Sequence, residues 1–177
     1  MKVLITILTV LAFVGLSICD ITAACTADDV LNSLTAIENY ADKMQSVTDS
    51  SSDNIDPSGA IFKNFESQTK HLKQDLQCTF NTTSEEQTSI CSAYEKFATA
   101  QLSYLHVADG RAFYEKNGSG DNAVKMHGYI LQAQEALESY TMQVKAAASS
   151  CASRVDTAYT PLGVQLQSLL QAYPGEA

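Results

Sequence analysis

Residues Asp121–Tyr159, DNAVKMHGYILQAQEALESYTMQVKAAASSCASRVDTAY, decide the fold. Ala123, Ile130, Leu137, Val144, Cys151 and Ala158 recur at one heptad position, and Met126, Ala133, Tyr140 and Ala147 recur three residues further on. Apolar residues spaced alternately three and four apart line one side of an α-helix, and a period of seven favours supercoiled packing against other helices. The spacing predicts one long helix over 121–159, whose last turns leave the core where Arg154 breaks the series. Thr160-Pro161 then stops or bends it, and the proline starts a short fifth helix with Leu162, Leu166, Leu169, Leu170 and Tyr173 on its apolar side.

Upstream, the same periodicity appears in three further stretches. Thr26 and Asp29 have the spacing of a capping box, and Val30, Leu34, Ile37, Ala41 and Met44 then step along one face to about Val47. Thr48–Asp56 is polar and rich in turn-forming residues, which predicts the longest loop of the chain. Asp56-Pro57 opens a second helix carrying Ile61, Phe62, Phe65, Leu72 and Leu76 to about Cys78. Thr83 and Glu86 form a second capping box, and a third helix follows from Ser84 to Lys116, closed by Asn117-Gly118-Ser119-Gly120. No strand with two-residue alternation, internal repeat or dividing linker is visible. The expected class is all-α: an up-down-up-down four-helix bundle with a short fifth C-terminal helix and two disulfides.

The amino end has the layout of a secretory signal, with Lys2, an apolar run from Val3 to Cys19 and small residues before Cys25. A signal peptide over 1–24 leaves one domain over 25–177 and places it outside the cell. An uncleaved anchor and a lipoprotein signal are the alternatives; Thr6, Thr9, Gly15 and Ser17 weaken the first, and Thr22 weakens the second. The net charge of −9 argues against nucleic acid and anionic membrane surfaces as partners.

Cys19 would leave with the signal, so Cys25, Cys78, Cys91 and Cys151 form an even set suited to an oxidising compartment. Their spacing does not resemble a zinc site. With antiparallel neighbours, counting from the first inter-helix loop sets Cys25 level with Phe80. Counting from the turn before Asp121 brings Cys91 level with Ala147, one turn from Cys151. The expected pairs are therefore Cys25–Cys78 and Cys91–Cys151.

Asn81-Thr82-Thr83 and Asn117-Gly118-Ser119 match the N-glycosylation pattern, and both Asn81 and Asn117 fall in predicted turns. His71, His106 and His127 come from different helices and heights, which does not suggest a metal site. The pair Glu85-Glu86 is accounted for by the dipole and cap at a helix amino end. Glu135 and Glu138 lie on a wet face, and no nucleophile elbow or phosphate loop occurs. Neither catalytic residues nor cofactors are expected.

The aromatic set is the more informative one. Phe65, Gln68, Tyr94, Phe97, Leu105, Leu137 and Tyr140 are candidate lining residues of a cavity between helices, with Gln68 as the polar contact; an ordinary filled core uses the same residues. The leading expectation is a secreted, non-enzymatic bundle that binds a macromolecular partner through an exposed helix face or its polar loop. The alternative is a carrier of a small lipid-like ligand in the core. A third reading, inhibitor of a secreted enzyme, rests only on fold analogy with plant inhibitor modules built as four-helix bundles with two disulfides.

Overall fold

A computed structural model describes residues 24–50, 57–73, 79–115, 120–173 and 175. Among these the chain is helical almost throughout, in five helices: α1 (Ala27–Ser50), α2 (Pro57–Lys73), α3 (Ser84–Glu115), α4 (Gly120–Ala147) and α5 (Ala152–Ala172). The all-α expectation holds. α1 continues past Val47 into the predicted loop, and α2 ends at Lys73, short of Cys78.

Both capping boxes form as their sequences require. The Thr26 backbone N–H and hydroxyl donate to Asp29 Oδ2 at 2.8 Å each, and the Asp29 N–H returns to Thr26 Oγ1 at 3.3 Å. Thr83 and Glu86 repeat the arrangement at 2.6, 2.8 and 3.3 Å. Each box occupies orphan N–H groups of a first turn and so fixes where α1 and α3 begin.

A feature without a visible sequence pattern lies just before each box. β1 (Ala24–Cys25) and β2 (Thr79–Phe80) pair in parallel, with Ala24 opposite Thr79 and Cys25 opposite Phe80. Two residues are too few to show alternation, so no pattern could announce them. The pairing starts α1 and α3 from the same end of the molecule. It also sets Cys25 level with Phe80, as the counting argument expects.

The larger correction concerns the long fourth helix. The heptad seam is right as far as it belongs to α4: Met126, Ile130, Ala133, Leu137, Tyr140, Val144 and Ala147 are all buried. At Ala147 the helix ends, the chain reverses through Ala148 and the 3-10 turn Ser149–Cys151, and α5 begins. The fifth helix is therefore neither short nor started by proline. It spans 21 residues with Pro161 inside it and buries Val155, Leu162, Leu166 and Leu169.

Paired side chains fix the directions. Lys145–Asp156 at 2.7 Å, Gln134–Gln167 at 3.3 Å and His127–Tyr173 at 2.7 Å descend along α4 as they ascend along α5, so these two helices are antiparallel. Cys91–Cys151, Glu95–Arg154 and Asp109–Gln165 ascend together, so α3 and α5 are parallel. The broadest helix contacts are those of α3 with α1 and with α5, and those of α2 with α4. Among the described residues no helix is long and apolar enough to cross a membrane.

Candidate functional site

The aromatic residues proposed for a cavity pack on one another. Phe97 lies 5.3 Å from Tyr94 and 5.7 Å from Tyr140 between ring centroids, the latter edge to face. Tyr94, Phe97, Leu105, Leu137 and Tyr140 are buried, while the Phe65 side chain lies outside the described residues. The two tyrosine hydroxyls are bonded. Thr141 donates to the Leu137 carbonyl at 2.7 Å, so its oxygen is the acceptor for the Tyr94 hydroxyl at 2.6 Å. Tyr140 pairs with Ser33 of α1 at 3.0 Å. Burial pushes the Tyr94 phenol up, which keeps this group a hydrogen-bond donor at any physiological pH.

Gln68 is buried, and its amide donates to the side-chain carbonyl of Gln101 on α3. The polar interruption of the second helix thus meets a partner on another helix, one that periodicity alone did not single out. The amide nitrogen of Gln101 and the hydroxyl of Thr69 have no hydrogen-bond partner among the described residues.

At the pole where α1 and α3 begin, Cys91 and Cys151 form a disulfide with Cα atoms 6.4 Å apart. Cys78, and with it the expected Cys25–Cys78 pair, lies outside the described residues. Asn81 is exposed between β2 and α3. The next residue, Thr82, donates its hydroxyl to the Ala147 carbonyl at 2.6 Å and so ties this loop to the end of α4. Asn117 lies outside the described residues. The histidines are apart: His71 packs its ring on Tyr40 at 4.8 Å, His106 is exposed on α3, and His127 bonds the Tyr173 carbonyl. Among the described residues no three His, Cys, Asp or Glu side chains gather where a metal ion could be held.

Two surface features both depend on α5. The first is a groove of about 400 Å³ between α3 and α5, lined by Glu95, Ala98, Thr99 and Leu102 from one helix and Ser153, Arg154, Thr157, Ala158 and Pro161 from the other. At one end the Arg154 guanidinium grips Glu95 through Nε at 2.9 Å and Nη2 at 2.7 Å. These bonds hold the Glu95 carboxyl below its ordinary range. In the sequence Arg154 shows only as a break in the seam, because its partner lies on another helix.

The second feature is the outer face of α5. Thr160, Val164, Gln167, Ser168 and Gln171 are exposed, Val164 to 67%. From Thr157 to Gly175 the sequence contains no charged side chain. Within this run, the Tyr159 phenol is pushed up to about 12 by burial and by the neighbouring Glu138 carboxylate.

No family model matches the chain, and no curated protein or solved structure matches it either.

Proposed function

We propose that this is a secreted, non-enzymatic helical protein that binds a macromolecular partner through the outer face of α5. The observation that carries the reading is that α5 contributes no charged side chain from Thr157 onward in a chain of net charge −9, the Asp109 carboxylate of α3 bordering the face at Ser168, 3.5 Å away. Surfaces used for binding are depleted of charge at their centre and ringed by polar groups. Val164, exposed amid threonine, serine and glutamine, has that composition. Elsewhere acidic residues are spread over exposed positions, among them Asp28, Asp42, Glu66, Glu85 and Glu135.

In this reading residues 1–24 are removed on export, glycans occupy Asn81 and Asn117, and Cys25–Cys78 joins Cys91–Cys151 in stapling an up-and-down bundle. A durable exported scaffold needs no cofactor to act by binding. The alternative, a carrier of a small apolar ligand, draws support from the groove between α3 and α5 and not from the aromatic core, whose tyrosine hydroxyls bond Thr141 and Ser33.

The test is purification of the native protein with its noncovalent companions, repeated with Val164→Glu and with Thr35→Glu, an exposed position on α1. A macromolecule retained by wild type and Thr35→Glu but lost from Val164→Glu supports the reading. Retention by all three places the interface elsewhere.

A further inference from the structure

We propose that the groove between α3 and α5 binds a small, elongated, uncharged apolar molecule bearing a hydrogen-bond acceptor at one end. Its volume of about 400 Å³ lies within the roughly 300–1,000 Å³ typical of small-molecule sites. The space exists because two parallel helices meet here through short side chains. Ala98 and Ala158 leave the floor low, and Leu102 and Pro161 give it apolar walls.

The threonines make the groove less polar than its composition implies. Thr99 donates its hydroxyl to the Glu95 carbonyl at 2.9 Å, and Thr157 donates to the Ser153 carbonyl at 2.8 Å. With both hydroxyl protons committed to their own helices, each threonine can offer a ligand its γ-methyl or an acceptor oxygen, but no donor.

Charge selects the class of ligand. Arg154 spends Nε and Nη2 on Glu95 and on Ser92, the latter at 3.2 Å, while its Nη1 makes no hydrogen bond among the described residues. A guanidinium has five N–H donors, so Nη1 remains able to donate to an oxygen at the groove's end. The Arg154–Glu95 pair is neutral as a unit. An anionic head group would be set against the Glu95 carboxylate and a chain of net charge −9, and a cationic one against the guanidinium. A ketone, ester or hydroxyl oxygen meets neither penalty.

The probe is prodan, an uncharged naphthyl ketone, compared with the anionic anilinonaphthalene sulfonate on the full-length exported protein. Saturable one-to-one binding of the ketone with blue-shifted emission is expected, with weaker binding of the sulfonate. Ala158→Phe fills the groove and should weaken the ketone at least about ten-fold. Should that variant lose its helical circular dichroism spectrum, Thr99→Leu at an exposed position repeats the test. Arg154→Gln should weaken the ketone while leaving an uncharged hydrocarbon probe such as anthracene unchanged. Absence of saturable ketone binding, retention of full affinity in the filled variant, or tighter binding of the sulfonate overturns the proposal. Val164→Glu lies outside the groove, so the fate of the macromolecule-binding reading is read separately.

Discussion

Cys91 of α3 and Cys151 of the turn before α5 are joined by a disulfide across Cα atoms 6.4 Å apart, which locks the point at which the chain reverses. The turn has further support from Gln87, whose side-chain carbonyl accepts the Ser150 N–H at 2.9 Å. The bridge closes a sequence separation of 60, for which loop-closure entropy gives about 4 kcal/mol of stabilisation before native strain is subtracted. Replacing both cysteines with serine should lower the unfolding free energy by up to this amount, measured by urea denaturation of variant and wild type. An unchanged midpoint would show that the turn holds without its covalent tie.

Tyr94→Phe removes the donor that satisfies Thr141 in a buried setting. The expected loss is about 1–2 kcal/mol, since an acceptor loses its partner while almost no volume changes. Denaturation of the variant checks this, and a neutral result would mean that Thr141 is served from elsewhere.

The two caps respond to acid. The Thr26 backbone N–H, and next its hydroxyl, hold Asp29 below its ordinary range; Thr83 does the same for Glu86. A depressed carboxyl contributes stability that is complete above its unfolded value and is lost as pH falls through the folded value. The caps should therefore weaken from about pH 4 downward. NMR titration of the two carboxyls should find both low, and Thr26→Ala or Thr83→Ala, which removes the hydroxyl but keeps the backbone N–H, should bring the partner only part of the way back while costing about 1 kcal/mol of stability.

Pro161 sits within α5 on its exposed side and cannot donate a hydrogen bond to the Thr157 carbonyl. Pro161→Ala restores that donor and a better helix former. The midpoint of urea unfolding should rise, by an amount equivalent to about 1–3 kcal/mol. A fall would mean that the proline ring is needed where it lines the groove.

Local signals proved readable where their chemistry is local. Thr26–Asp29 and Thr83–Glu86 contain their own caps, so the starts of α1 and α3 were legible, as was the buried seam of α4 to Ala147. The pairing of Cys91 with Cys151 followed from register counting, which survives because Cys151 lies just past the end of α4.

The reversal after Ala147 was not legible. Ala148-Ser149-Ser150 contains no glycine or proline, and Cys151 and Ala158 happen to continue the heptad count across the break. What ends α4 there is tertiary: Thr82 takes the Ala147 carbonyl, Gln87 takes the Ser150 N–H, and the disulfide anchors Cys151. Pro161 then misled in the opposite direction, because proline usually marks a first turn and here stands in a helix interior. The groove and its Arg154–Glu95 pair were hidden for the same reason, since both need α5 folded back along α3.

Both functional readings rest on that fold-back, and a distance across it is the most direct test. Nitroxide labels attached through non-cysteine chemistry at Gln132 and Ser168, both exposed, should lie within about 25 Å of one another by pulsed electron resonance, given helix axes about 8–10 Å apart plus the label arms. A continuous helix through residues 147–151 would instead hold them about 54 Å apart at about 1.5 Å per residue, and that result would contradict the account.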